Sequence, residues 1–440
     1  MGRSRTVGFR LYMWALFATS AVVLGSPSGR QLTFSTPKRV FPLNGTAKTY
    51  GALYADAFYS IGNGALFGVP GITKSNATNY AVLSTDSGKS WQQWYQTSYV
   101  NPLTGYPFIA VPNASSNGIH DLGNACASQK GTPQSSFTSS GGSVGSWEGP
   151  SHRNAVPAAV SFSALPDPLT CTEGGATADC FWLHAGGTVA LPDVLGGGLL
   201  LTNCVPWLHG RFGATASGAG IFAWHSADGL EWTYRGAVIT AADVPSSGEG
   251  PNENDVSLLA DNKTLLVVFR LDDGVDGGAV SAKNYRSATS IDGGRTWSTA
   301  TEMIDVNGRG IGVARPRLLL LGGGGGGGDA TAAGPLLLSG GRLYTEHTRD
   351  ILLWVSMDGM GTYWEPYSIS YQHNRLVTPA GLRFSAAVND TTGRATTSYT
   401  SLLRLDSGRG ACIVYNGETG IFAMEIATAL GPAAVVIPAV

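Results

Sequence analysis

Arg270 is the first residue whose setting suggests chemistry. It closes the apolar run Leu265-Leu266-Val267-Val268-Phe269, and a buried strand that ends in a charge delivers that charge to a rim or a pocket, because the charge cannot stay in the core unpaired. A surface arginine is the alternative at this level. The other reactive residue types show less order. The seven histidines are scattered without the spacing of a metal site, so no metal and no cofactor is expected. The five cysteines, Cys126, Cys171, Cys180, Cys204 and Cys412, are odd in number and form no C-x-x-C pair. That argues against both a zinc site and a disulfide scaffold. Cys171 and Cys180 enclose a short Gly-rich loop and are the expected bridge, and at least one thiol should remain free. The seven glycines at 322–328 lack the Lys-Ser/Thr ending of a phosphate loop, so 322–334 reads as a flexible loop extension.

The elements that must position such residues announce themselves through a repeated turn. Ser290-Ile291-Asp292-Gly293-Gly294-Arg295-Thr296-Trp297 has the pattern S-x-D-x-G-x-x-W, and Ser84-Thr85-Asp86-Ser87-Gly88-Lys89-Ser90-Trp91 repeats it. The stretch from Ser226 to Trp232, with Asp228 and Gly229, is one residue short, and that from Ser356 to Trp364, with Asp358 and Gly361, is one residue long. The carboxylate of such a turn bonds nearby backbone N–H groups, glycine accepts a positive φ, and the tryptophan can pin the hairpin to its sheet. The opening serines are separated by 142, 64 and 66 residues, so the first step is close to two units and one copy has decayed. A unit of about 65 residues holds one four-stranded blade with generous loops, and about six fit the chain. The expected fold is therefore all-β, a six-bladed β-propeller of four-stranded antiparallel blades.

Composition agrees with a folded extracellular β protein: 43% of residues are hydrophobic and only 13% charged. A net charge of −2 without a polybasic run excludes a nucleic-acid surface and an anionic-lipid surface. Arg3, Arg5 and Arg10 precede an apolar run at 11–24 and then Gly25-Ser26-Pro27-Ser28. This is the layout of a secretory signal peptide over 1–25, an uncleaved anchor being the alternative, and it leaves 26–440 as the propeller domain. No other stretch is long and apolar enough for stable membrane insertion. Sequons at Asn44, Asn76, Asn113, Asn262 and Asn389 suit a secreted glycoprotein. Residues 113–155, rich in Ser, Gly and Asn, read as a long surface insertion.

Repeated turns of this type, called Asp boxes, resemble those of the sialidase (neuraminidase) superfamily, whose BNR repeats carry them. More specific resemblances follow in the second half. Asn252-Glu253, Leu258-Leu259 and Arg270 resemble the segment in which a glutamate precedes a strand ending in the second substrate arginine. Arg349-Asp350-Ile351-Leu352-Leu353-Trp354 resembles the third arginine and its strand, and Ser398-Tyr399-Thr400-Ser401-Leu402 the tyrosine strand. The resemblance covers residues 45–427. It implies an exo-acting glycoside hydrolase on terminal sialic acid or a related acidic sugar, with glycans or sialylated glycoconjugates as partners.

The implied chemistry suits these residue types. Sialic acid carries a carboxylate on its reacting carbon, which an arginine fork binds bidentately and which would repel a carboxylate nucleophile. A tyrosine hydroxyl deprotonated by a glutamate avoids that repulsion. The resemblance thus makes Tyr399 the nucleophile, Glu253 its base with Glu249 as competitor, and Arg270 and Arg349 the substrate-binding pair. The first blade departs from the pattern. No arginine stands in Tyr50-Gly51-Ala52-Leu53-Tyr54, Arg39 is the nearest substitute, and residues 57–85 contain no Asp or Glu to serve as acid. A non-catalytic glycan-binding or cell-surface propeller is the second reading.

Overall fold

The computed structural model describes residues 30–42, most of 53–96, the strands between 108 and 182, and most of 184–430. Outside the described residues lie, among others, 1–29, 245–249, 323–333, 342–350, 385–398 and 431–440. The expected signal peptide, Arg349 and Glu249 therefore fall outside them. Among the described residues no helix is long and apolar enough to cross a membrane.

The protein is a β-propeller. Six sheets of four or more strands follow one another along the chain. Their innermost strands are Phe58–Gly62, Phe108–Val111, His184–Ala190, Gly250–Leu258, Val313–Leu320 and Thr400–Arg404. These touch in cyclic order, and the last returns to the first, so the sheets close a ring. Ser401 fastens the closure: its Oγ donates to the Ala55 carbonyl at 2.8 Å and accepts from Phe58 N at 3.2 Å. The sixth sheet takes its outer edge from the other end of the chain. Arg30–Phe34 and Lys38–Pro42 both pair antiparallel with Gly420–Leu430.

Packing between sheets explains the apolar runs. Leu265, Val267 and Phe269 face Leu200, Ile221 and Ala223 of the third sheet. Their neighbours Leu266 and Val268 face Leu336, Leu338 and Trp354 of the fifth. A strand buried on both faces has no polar face to alternate with, and it reads as continuous hydrophobic sequence. The same logic joins the fifth sheet to the sixth through Leu337, Leu353 and Val355 against Ile413, Tyr415 and Met424. It joins the sixth to the first through Leu403, Cys412 and Val414 against Phe58, Leu66 and Val82.

The four repeated turns occupy one place in the architecture, the connection from third to fourth strand of the first, third, fourth and fifth sheets. In the fourth sheet Gly294 N donates to Ser290 Oγ at 2.9 Å, Ser290 Oγ donates to Asp292 Oδ1 at 2.8 Å, and Trp297 Nε1 donates to the Gly294 carbonyl at 3.1 Å. The first sheet repeats these bonds at 2.8, 2.9 and 3.2 Å through Gly88, Ser84, Asp86 and Trp91. The short and long copies keep the serine-to-glycine bond, from Gly229 N to Ser226 Oγ at 2.8 Å and from Gly361 N to Ser356 Oγ at 2.9 Å. Trp91, Trp297 and Trp364 each pack into the interface with the preceding sheet.

Two sheets lack the turn for physical reasons. In the sixth the outer strand comes from the N-terminal segment, so no chain connects third strand to fourth. In the second, Ser136–Ser140 and Ser143–Glu148 are separated by only two residues, too few for the pattern. Within the stretch 113–155 expected as a surface insertion, Asn117–Asp121, Ser136–Ser140 and Ser143–Glu148 pair into a sheet with Phe108–Val111. Backbone ladder bonds form irrespective of side-chain type, so Ser- and Gly-rich segments make strands without an apolar signal.

The expected Cys171–Cys180 bridge falls on side chains outside the described residues; along the backbone Cys180 stands opposite Cys126. Cys412 is a buried free thiol, pushed up to about 12 by burial and then by Glu425, and is unreactive as a nucleophile.

Asp292 yields a test of the turn. Burial raises its pKa, yet hydrogen bonds from Thr296, Ser290 and Arg295 outweigh burial and hold the carboxyl at about 2 against an ordinary 3.8. The stability it supplies is present above pH 3.8 and is lost as pH falls toward about 2. Asp292→Ala is expected to cost about 1 kcal/mol at neutral pH and correspondingly less under acid. Urea unfolding at both pH values checks this, and an undiminished cost in acid would refute it.

Candidate active site

Glu253 sits near the start of the innermost strand of the fourth sheet, and a bulge sets its direction. Pro251 lies opposite Leu271 and Asn254 opposite Phe269, so Asn252 and Glu253 together oppose Arg270 alone. An extra residue on one strand turns a side chain out of the regular alternation. Comparable irregularities occur on the innermost strands of the third sheet, between His184 and Gly187, and of the fifth, between Val313 and Arg317. All three lie on the rim where the innermost strands begin. The repeated turns lie on the other rim, since Ser290 pairs with Leu265, which pairs with Leu258 at the far end of the strand.

Arg270 and Tyr399 complete the cluster. The apolar strand Leu265–Asp272 carries Arg270 to this rim, and Tyr399 immediately precedes the innermost strand of the sixth sheet. Arg270 Nη1 donates to Glu253 Oε2 at 2.9 Å and to the Tyr399 hydroxyl oxygen at 3.1 Å, and that hydroxyl donates to Glu253 Oε2 at 3.2 Å. The side chains of Arg270 and Glu253 are 18% and 4% exposed, so the pair is largely removed from water. Chemically, the tyrosine oxygen can give its proton to a carboxylate while a guanidinium stabilises the phenolate that remains.

Sequence reasoning missed two arginines here. Arg315 and Arg317, on the innermost strand of the fifth sheet, are both buried. Arg315 Nη2 reaches the Gly186 carbonyl at 3.2 Å, on the innermost strand of the third sheet, and so spans the fourth. Asp255 binds the fourth sheet to the fifth by accepting Leu318 N at 2.8 Å. Burial pushes its carboxyl above the usual range, against the pull of Arg317, the Leu318 amide and Arg315. The approach is close enough that a Cβ on Gly187 would collide with the Asp255 carboxylate. A signal existed: arginines open the apolar run at 318–321 just as Arg270 closes the run before it.

Arg39 does not join this cluster. It is exposed on the outermost edge of the sixth sheet, opposite Phe422.

No protein-family model matches the chain, and no curated protein matches it. Solved structures do. A protein of unknown function from Dyadobacter fermentans aligns with a TM-score of 0.52 at 13% identity, over 91% of this chain and 100% of that one. The α-L-arabinofuranosidase of Fusarium graminearum aligns at 0.51 and 12% identity, over 90% of this chain and 98% of that one. Such identities bear on fold alone, and they place the chain among propellers of the kind that glycosidases use. The sialidase of Trypanosoma rangeli aligns at 0.45 and 12% identity, over 90% of this chain and 59% of that one, too distant to add to the fold assignment.

Proposed function

We propose that the protein is a secreted exo-glycosidase that releases terminal sialic acid or a related acidic sugar from glycoconjugates. The observation that carries this reading is the Tyr399 hydroxyl held between the Glu253 carboxylate and the Arg270 guanidinium. Glu253 takes the phenolic proton, and Tyr399 attacks the anomeric carbon as the glycosidic C–O bond breaks. The aglycone oxygen leaves as an anion that solvent protonates, and water then displaces the tyrosine, which recovers its proton from Glu253. Arg270 acts on the phenolate as well as on the substrate carboxylate, and Arg349 supplies the second fork.

Charge favours an acidic over a neutral sugar. Arg270, Arg315 and Arg317 stand with Glu253 and Asp255 among the described residues of the innermost strands and of the strand beside Glu253, and burial works to neutralise Asp255. A guanidinium held beside the candidate nucleophile attracts a carboxylate and gains nothing from a neutral furanoside of the kind named for the Fusarium enzyme. Residues 57–85, the segment to which the resemblance assigns the acid, contain no Asp or Glu and so do not supply the roughly 10²–10⁴-fold in rate that a placed acid is worth. An aryl sialoside, whose leaving group needs no proton, is therefore the substrate of choice. Measurable turnover of it, with natural sialosides much slower, is the expected result.

The same missing acid favours the second reading, a propeller that binds acidic glycans without cleaving them. Binding on a glycan array without aryl sialoside turnover would select it. Neither binding nor turnover would exclude both.

A further inference from the structure

His373 lies on the helix Ile369–Leu376, which with the residues up to Phe384 forms a strap between the fifth sheet and the sixth. It is fully buried. Its Nε2 is 2.8 Å from the Leu382 carbonyl and its Nδ1 is 2.8 Å from the Tyr415 hydroxyl. A carbonyl can only accept, so Nε2 carries the proton, and Nδ1 of the neutral ring accepts from Tyr415. The strap is tied a second time by Asn374, which donates to the Phe384 carbonyl at 3.1 Å and accepts from Phe384 N at 2.8 Å.

The surroundings decide what a proton on Nδ1 would meet. The rings of Phe384, Phe422 and Tyr415 stand around the imidazole at 4.9, 4.7 and 5.8 Å, and of these only Tyr415 titrates. Burial keeps Tyr415 a neutral hydroxyl, well above the ordinary tyrosine range. On the helix itself, Arg375 is held against Gln372 Oε1 at 2.8 Å. Burial, partly opposed by the Leu382 carbonyl, sets the His373 pKa below its ordinary 6.5. The three rings meet the imidazole edge-on, in T-shaped contacts, and the two phenylalanines offer no acceptor for a displaced hydroxyl proton.

The strap is coupled to the candidate site through the ladder. Tyr415 stands opposite Thr400, the residue after Tyr399. Thr400 is in turn hydrogen-bonded to Ser339 of the fifth sheet at 2.7 Å.

We propose that His373 is an acid-released latch: a solvent proton taken up at Nδ1 turns the Tyr415 hydroxyl proton away from the ring, places a charge in the apolar cage, frees the strap at 369–384, and loosens the setting of Tyr399. Nδ1 then donates to the hydroxyl oxygen from which it had accepted, the hydroxyl proton must turn toward the apolar rings, and an imidazolium stands in an apolar cage. The latch itself is independent of the glycosidase reading, and only its effect on Tyr399 chemistry rests on the function proposed above.

Hydrogen exchange of the full chain at about pH 7.5 and about pH 5, expressed as protection factors, tests it. Residues 369–384 are expected to lose at least about tenfold in protection in acid while the innermost strands keep theirs. His373→Gln, whose amide donates to Leu382 and accepts from Tyr415 without titrating, should keep the strap protected at both pH values. Equal wild-type protection at both, or the same acid loss in His373→Gln, overturns the latch. Should that variant fail to fold, the ring nitrogen shifts of wild-type His373 decide. They should report protonation coincident with loss of strap protection, and titration with protection unchanged sinks the idea. Absence of sialoside turnover bears on the site reading and leaves these outcomes unaffected.

Discussion

Tyr399→Phe is expected to reduce turnover of an aryl sialoside by on the order of 10³-fold or more, because on the proposed reading it removes the hydroxyl that forms the glycosyl–enzyme bond. Binding of the acidic sugar should persist, since the arginines are untouched. Stability should fall by no more than about 3 kcal/mol: the lost hydroxyl donates to Glu253 and accepts from Arg270, both charged, but those two groups remain paired with each other. Glu253→Gln keeps the shape but cannot take the proton, and a loss of about 10²–10⁴-fold is expected. Steady-state kinetics with an equilibrium binding measurement separate the two roles. Tyr399→Phe retaining most of its turnover would move the nucleophile elsewhere and leave Glu253 as the group to re-examine.

Arg270→Ala should be the most damaging single change to stability at the site. It withdraws the guanidinium from a carboxylate that is only 4% exposed, and breaking a pair of this kind costs about 3 kcal/mol or somewhat more. Glu253→Gln should cost less, because the arginine it leaves behind is 18% exposed and can reach water. The double variant Arg270→Ala with Glu253→Gln should then be more stable than the sum of the singles predicts, since it leaves no charge without its counterpart. Denaturant unfolding of the four proteins supplies the cycle. Additive effects would mean that the 2.9 Å pair is energetically idle. Acidic-sugar affinity should fall sharply in Arg270→Ala as well, by the roughly 1.5–3 kcal/mol of a charge-assisted bond.

How much of this was legible in sequence depended on the range of the interaction concerned. The repeated turns were readable because everything that makes them lies within eight or nine residues. Serine, aspartate, glycine and tryptophan bond one another and the local backbone, as in Ser290, Asp292, Gly294 and Trp297. The run ending in Arg270 was readable because a strand covered on both faces must be apolar throughout. The second sheet was not legible, since its Ser- and Gly-rich strands show no periodicity, and ladder pairing leaves no mark on composition. Nor was the closure of the ring. The match of Arg30–Phe34 to Gly420–Leu430 joins residues about 400 apart, and nothing local encodes it.

The sequence alone determined the all-β class, the repeat of about 65 residues and the residue types suited to an acidic sugar, because these follow from local bonding and from the chemistry of single side chains. Only the tertiary structure decided that Tyr399, 146 residues from Glu253 and 129 from Arg270, meets both. It alone decided that Arg315 and Arg317 are buried alongside the innermost strands, and that a bulge at Asn252 and Glu253 aims the carboxylate at Arg270. The reason is geometric: a propeller brings the start of each innermost strand to one rim, so contacts there are set by the order of the sheets around the ring and not by distance along the chain.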